Sequence, residues 1–531
     1  MRARTQALRP LLAAGLTLLA CAIARGQPAN TPTNSRANAP AATLPGLPPA
    51  PVFDPRNPPE GVFLDEWTVI DMGGKKVGYT HEVYRRQGDR ILTHSLTAYT
   101  LLRLNQPMQI TETATTEETV AGELRAFKDI VTQGDATETV TGSGDGRIFE
   151  VTKQTPNAQE HQRVVLPPGT VFGWGEERLQ RIHGFAPNTK YEVMTYAPGD
   201  DYLKAIPKQV TVDARDNVRV GQTDVVATRV LTHLGAPASA TGMEAISWVD
   251  DHGRTLKFSM PLGPQGGMTL ESTAATEAEA LAQFVPADIF TSSLIPLSNA
   301  PSANATSVTY QLKRRDGQPL PAAPDSLTQH TEQLPGGAVR LTLTRGAAPS
   351  PTHASAPKFD AAPYLARNSF LDTNDPNIKR LAAEGGGPAG TAPTQVAARL
   401  RDFVAKYINK KDYSVGFATA STVAKDREGD CTEHAVLLAA LGRARGLPAR
   451  IVSGLAFEPK DATHPDLLGY HMWAQFYLDG QWVDYDAALP ELPGPPRRLG
   501  LMASDLDNDS LADLTLGMLG WMADLDVQIV R

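Results

Sequence analysis

DREGDCTEHAVLLAALGRARG, from Asp426 to Gly446, decides how the C-terminal part of this chain folds. Asp430 precedes a long apolar run and Glu433 stands three residues later, the spacing of a reciprocal N-terminal helix cap. The pattern predicts a helix that starts at Cys431 and runs to Arg445, with Gly446 as a left-handed stop and Pro448 barring continuation. AVLLAALGRA is apolar around most of its circumference, so this helix is expected to be buried. The feature to explain is the cysteine at its first position, because the 531 residues include only two. A free cysteine is most often a small buried hydrophobe. At a helix N-terminus, however, free backbone N–H groups and the positive end of the dipole favour an anion, so sulfur there gains thiolate character. The same N–H groups can receive a developing oxyanion. Such a nucleophile still needs a base.

HMWAQFYLDGQWVDYDAAL, His471 to Leu489, supplies one. Asp479-Gly480 between two β-rich runs signals a two-residue hairpin loop. With those two residues as the loop, Leu478 faces Gln481, Trp473 faces Asp486 and His471 faces Ala488. His471 and Asp486 then project from one face as diagonal neighbours, roughly 7–8 Å apart at the backbone and within reach of a His–carboxylate hydrogen bond. Asp484 shares that face but pairs with Gln475, two positions further from His471. A one-residue bulge would reverse this parity. A His–Asp pair on a strand facing a cysteine at a helix start makes nucleophile, base and orienter: Cys431, His471 and Asp486. Taken singly, His471 reads as a satisfied strand histidine and Asp486 as a turn residue; their conjunction with a lone thiol reverses that balance. His434, three residues after Cys431, raises a Cys-x-x-His metal site with His471, but no second close pair of ligand types completes a tetrahedral set. No metal or cofactor is called for. Trp473 and Trp482 read as core, though either indole could line a substrate groove.

These residues resemble the bacterial transglutaminase-like superfamily. The likeness covers roughly Phe359 to the C-terminus and rests on Gly-Asp-Cys, on Leu-Pro-Ala-Arg-Ile-Val-Ser-Gly after the helix, on His-x-Trp, and on Trp-x-x-x-Asp from Trp482 to Asp486. The resemblance implies a papain-like α+β core in residues 356–531, with Cys431 as nucleophile, His471 as base and Asp486 as third member. One departure is visible: Gln475 stands where many relatives carry Glu in His-x-Trp-x-Glu. From one thioester intermediate the family supports crosslinking, if an amine attacks, and hydrolysis of a peptide or glutamine amide, if water does. A cysteine peptidase- or amidase-like role on proteins or peptides is the favoured expectation, with transglutamination close behind. A non-catalytic binding or assembly protein that keeps the fold is the alternative. DLDNDSLADL, Asp505 to Leu514, is acidic but lacks the glycine and terminal glutamate of a calcium-binding loop.

The rest of the chain sets the context. MRARTQALRP is a basic n-region, LLAAGLTLLACAIA an apolar h-region, and AIARG offers a small-x-small cleavage site after Ala24, so residues 1–26 read as a secretory signal peptide. Leu18, Leu19, Ala20 and Cys21 also resemble a lipobox, in which Cys21 would be lipidated and tether the protein to a membrane. Either way the expected location is the bacterial periplasm or cell envelope, and Cys431 is left without an intramolecular disulfide partner. Residues 27–60, rich in Pro, Ala, Asn and Thr, read as a disordered tether. Residues 61–275 carry strand after strand, with a hairpin signature at Gly73-Gly74, and predict an antiparallel β domain shaped as a curved sheet or partial barrel. Residues 276–355 read as a connector with a small β element. A net charge of −8 with no dense Lys/Arg block argues against a nucleic-acid partner. The expected partner is a protein or peptide substrate, and the sequence leaves the oligomeric state open.

Overall fold

The computed structural model describes residues 46–530 except for short internal stretches, the longest being 236–242, 347–358, 411–417 and 507–517. The signal segment, Cys21, residues 27–45 of the tether and most of Asp505–Leu514 lie outside the described residues. Among the described residues, no helix is long and apolar enough to cross a membrane. The chain forms two compact units: one holds the β region through Ala287, and the other joins Leu102–Met108 to Asp288–Arg531.

The first unit is built on one 15-stranded sheet. Its first strand, Gly61–Met72, lies in the middle, paired with Lys75–Gln87 on one side and Met268–Ala275 on the other. Successive hairpins lead outward from there to Gln159–Val165, and a second series returns from Thr170–Val171. The expected turn at Gly73-Gly74 is present, with φ of +57° and +77°, values that glycine adopts without strain. The helix Gly173–His183 is an addition to the expected all-strand pattern. Trp174 at its start is fully buried against Phe63, Leu64, Tyr84 and Ile91. Its N-cap position, Phe172, has no capping side chain. The Glu118 carboxylate caps it instead, accepting the N–H groups of Trp174 and Gly175, both at 2.7 Å.

The second unit is α+β. Its central sheet runs Ile295–Pro296, then the histidine strand Leu467–Leu478, then the inner strand Ala449–Glu458, then the outer strand Arg498–Ser504. The aspartate strand Gln481–Tyr485 also pairs with the histidine strand. The cysteine helix, Cys431–Ala444, packs on the histidine and inner strands and, elsewhere, on three further helices, Pro376–Gly386, Pro393–Tyr407 and Ala420–Asp426. The observed start at Cys431 and the left-handed Gly446 (φ +77°) match the sequence expectation. Val436, Leu437, Leu438 and Leu441 are wholly buried, each contributing about 1.5–3 kcal/mol relative to an exposed position. Gly442 allows the close approach: a Cβ there would lie 2.1 Å from the Phe476 ring of the histidine strand. Pro393–Tyr407 buries Val396, Leu400 and Val404, and the following Ile408 is buried as well.

The segment read as a connector is woven into this unit. Strands Gln329–Gln333, Val339–Thr344 and Ser307–Arg314 form a sheet with Leu525–Val530 at its far edge. The residues before Gln329 stitch onto the central sheet. Leu327 N–H donates to the Trp482 carbonyl at 2.7 Å, and the Gln329 amide exchanges two 2.8 Å hydrogen bonds with the backbone of Gly500.

Candidate active site

Cys431 is set in place by its neighbours. The Asp430 carboxylate accepts Thr432 N–H at 2.8 Å while Asp430 N–H donates to the Glu433 carboxylate at 2.9 Å, completing the reciprocal cap. The other oxygen of Glu433, a fully buried residue, accepts Ala418 N–H at 3.2 Å and so ties the preceding segment to the helix start. Gly429 must be glycine: its φ is +140°, and a Cβ would lie 2.3 Å from that of Glu433. The Gly-Asp pair before Cys431 is therefore a geometric requirement of the cap. Cys431 itself is half-buried.

The hairpin delivers the other two groups. Asp479 and Gly480 have φ of +48° and +85°, as a two-residue turn of this hand requires. The register is the expected one: Leu478 opposite Gln481, Gln475 opposite Asp484, Ala474 opposite Tyr485. One step beyond the paired ladder, Asp486 reaches diagonally, and His471 Nε2 donates to its Oδ2 at 2.8 Å. The Cys431 side chain lies close enough to the same imidazole to raise its pKa, and with Nε2 committed to Asp486, the nitrogen left for the sulfur is Nδ1. The structure thus brings Cys431, His471 and Asp486 together. His434 is turned elsewhere, its Nδ1 donating to the Asp430 carbonyl at 2.5 Å.

The electrostatics of the pair pull in opposite directions. Burial is the largest influence on His471 and lowers its pKa, but the charge and hydrogen bond of Asp486, joined by Cys431, overcome it and raise the value to about 10. Burial likewise pushes Asp486 up, and the charge and hydrogen bond of His471, then Arg498, then Leu489 N–H, draw it down to about 2. Asp486 Oδ1 accepts the N–H groups of Ala488 at 2.9 Å and Leu489 at 3.0 Å. Such a pair holds a proton on the imidazole, beside a sulfur at a helix N-terminus, through the neutral range.

Two features escaped the sequence reading. Arg498, on the outer strand, approaches Asp486 Oδ2 at 3.4 Å; no local pattern ties it to a carboxylate twelve residues earlier. Asp484 anchors a second polar layer. Its Oδ1 accepts Trp473 Nε1 at 2.6 Å and Gln475 Nε2 at 2.7 Å, and its Oδ2 accepts the hydroxyls of Ser326 and Thr328. Gln475 Oε1 accepts Arg450 Nε at 2.7 Å, and the Arg450 guanidinium lies 4.2 Å over the Trp482 ring. The hairpin register already placed Asp484 opposite Gln475; its indole and hydroxyl partners needed coordinates.

Residues 382–487 match the sequence model of the Transglutaminase-like superfamily. An uncharacterized protein of Mycobacterium tuberculosis (strain ATCC 25618 / H37Rv) is 32% identical over 157 residues, 28% of this chain and 45% of the relative. A Mycobacterium bovis protein matches with the same values. The chain therefore spans less than half the length of these curated relatives. Among solved structures, a candidate cysteine protease from Cytophaga hutchinsonii is 16% identical, with 45% of this chain and 85% of that one covered at a TM-score of 0.25. A beta-barrel-like protein of a domain of unknown function from Brucella abortus is 13% identical, with coverage of 40% and 97% and a TM-score of 0.30. Cys431, His471 and Asp486 all fall within the matched segment, so the C-terminal part of the chain carries a transglutaminase-like superfamily core.

Proposed function

We propose that this protein is an exported cysteine-dependent acyl-transfer enzyme acting on peptide or glutamine amide bonds. The observation that carries the reading is the 2.8 Å His471–Asp486 hydrogen bond made by an imidazole that also engages Cys431. In the first half-reaction the sulfur attacks the amide carbonyl. The N–H of Cys431, a first-turn donor without an intrahelical acceptor, supports the oxyanion. The C–N bond then breaks, the imidazolium proton passes to the departing amine or ammonia, and a thioester remains. In the second, water or an amine attacks the thioester, His471 takes its proton, and the sulfur leaves. Asp486 fixes the ring orientation and stabilises the imidazolium throughout.

Hydrolysis is favoured slightly over crosslinking, on proteins or peptides of the cell envelope. The leader-like first residues support export, with Cys21 lipidation as an alternative to cleavage. The experiment is incubation with a glutamine-containing peptide and a fluorescent amine. Amine incorporation indicates crosslinking, and ammonia or cleavage alone indicates hydrolysis. Neither product, together with a Cys431 that alkylates no faster than free cysteine, would leave the non-catalytic binding or assembly protein.

A further inference from the structure

We propose that Asp484 is a positioning residue for this site: through the Trp473 indole it sets the plane of the His471 imidazole. It also supplies, from the opposite strand, the carboxylate that the family pattern carries at position 475. The inference rests on the proposed role of His471.

The hydrogen bond to Asp486 fixes one vertex of the imidazole but leaves the ring free to rock about the N···O line. A second constraint is needed to keep Nδ1 at the sulfur. Trp473 supplies it, its ring facing the imidazole at 5.9 Å between centroids and 23° between planes. The indole is itself confined. It is 2% exposed, and a Cβ at Gly454 or Gly500, on the neighbouring strands, would come within 3.0 or 3.5 Å of it. Its one polar atom, Nε1, donates to Asp484 at 2.6 Å. Asp484 is held in turn by Gln475 at 2.7 Å, by Ser326 at 3.0 Å and by Thr328. A continuous set of contacts therefore runs from the Ser326–Thr328 loop through Asp484 and Trp473 to His471.

The same geometry accounts for Gln475. It is directly opposite Asp484 in register and buried, so a glutamate there would set two carboxylates face to face. An amide avoids the repulsion and bridges both ways, donating to Asp484 while accepting from Arg450. With a carboxylate already at 484, an amide at 475 fits where a second carboxylate would not.

The test uses full-length protein with Cys21→Ser, so that iodoacetamide reports Cys431 alone, and follows alkylation rate against pH. Asp484→Asn is expected to slow alkylation at neutral pH by on the order of tenfold through misplacement of the ring. Trp473→Phe, which keeps an aromatic face but removes the N–H, is expected to produce the same change. The two together should be no worse than either alone. Asp484→Asn with Gln475→Glu, which returns the carboxylate to the histidine strand beside Arg450, is expected to restore most of the rate. Additive losses, or a rate–pH profile for folded Asp484→Asn or Trp473→Phe superimposed on the parent's, would overturn the inference while leaving the proposed enzyme intact. A parent that alkylates with the pH dependence of free cysteine, midpoint about 8.5, would overturn both.

Discussion

Glu118 in the β unit and Asp486 in the C-terminal unit are both wholly buried carboxylates that accept two backbone N–H groups, yet their pKa values move in opposite directions. Glu118 holds Trp174 and Gly175 N–H with a hydroxyl from Thr116; burial outweighs all three and raises it to about 8. Asp486 holds Ala488 and Leu489 N–H and is drawn down to about 2, burial being outweighed by His471 and Arg498. Backbone donors alone do not keep a buried carboxylate ionised; a counter-charge does. Asp145 is the exposed comparison: two backbone N–H groups, from Ile148 and Arg147, lower its pKa, each outweighing the desolvation that opposes them. The β unit thus uses a buried acid as a structural cap, while the C-terminal unit keeps one charged beside an imidazole.

The largest effect is expected from removing the charge of Asp486. Asp486→Asn should lower turnover by roughly 10³–10⁴-fold, since an amide can neither fix the tautomer nor stabilise the imidazolium, as measured by steady-state rates on any peptide substrate found in the amine-incorporation assay. Asp486→Ala, which leaves the buried His471 without its counter-charge, should also destabilise the domain by about 3–5 kcal/mol in chemical denaturation.

Glu118→Gln comes next. One amide N–H₂ must then face a backbone N–H, at a cost of about 1–3 kcal/mol. The sign with pH separates this site from Asp486. A carboxyl whose folded pKa is raised loses stability as pH climbs from its unfolded value, about 4.3, to about 8. The Glu118→Gln deficit should therefore be greatest at pH 5 and shrink toward pH 8. Asp486, with a depressed pKa, contributes stability above about pH 3.9 that is lost as pH falls toward 2. His471 contributes stability that is complete below about pH 6.5 and is lost as pH rises through about 10. Denaturation curves of parent and variants across pH 3–10 resolve these slopes.

Arg498→Met should have a smaller effect. Its contact with Asp486 is long, 3.4 Å, and His471 is the larger counter-charge. Removing it should raise the Asp486 pKa and move the acid limb of Cys431 alkylation upward, with less than about a tenfold loss of rate at pH 7. Asp145→Asn should be nearly silent at pH 7 in thermal unfolding, because an exposed amide oxygen still accepts both turn N–H groups.

What the sequence disclosed follows the same division between local and distant causes. The cap at Asp430 and Glu433 and the register set by Asp479-Gly480 are written within a few residues of the groups they position, so the approach of His471 to Asp486 could be worked out beforehand. The helix Gly173–His183 could not, because its cap is Glu118, more than fifty residues earlier, and Phe172 gives no local signal. Nor could the pairing of Ser307–Arg314 with Leu525–Val530, which no local alternation encodes, or the hydroxyls that Ser326 and Thr328 bring to Asp484. The stretch between the β region and the site, Pro- and Ala-rich in places, reads locally as a connector; its role as a brace depends on distant contacts, those of Ser326 and Thr328 with Asp484 being more than 150 positions apart in sequence.

The proposed pairing of Cys431 with His471 is tested most directly by the pH–rate profile of Cys431 alkylation in the Cys21→Ser protein, compared with the same protein carrying His471→Ala. The expected result is rapid alkylation from about pH 5 to pH 8 in the first and a slower rate, rising only toward the free-cysteine midpoint near 8.5, in the second. Superimposable profiles, both following free cysteine, would contradict it.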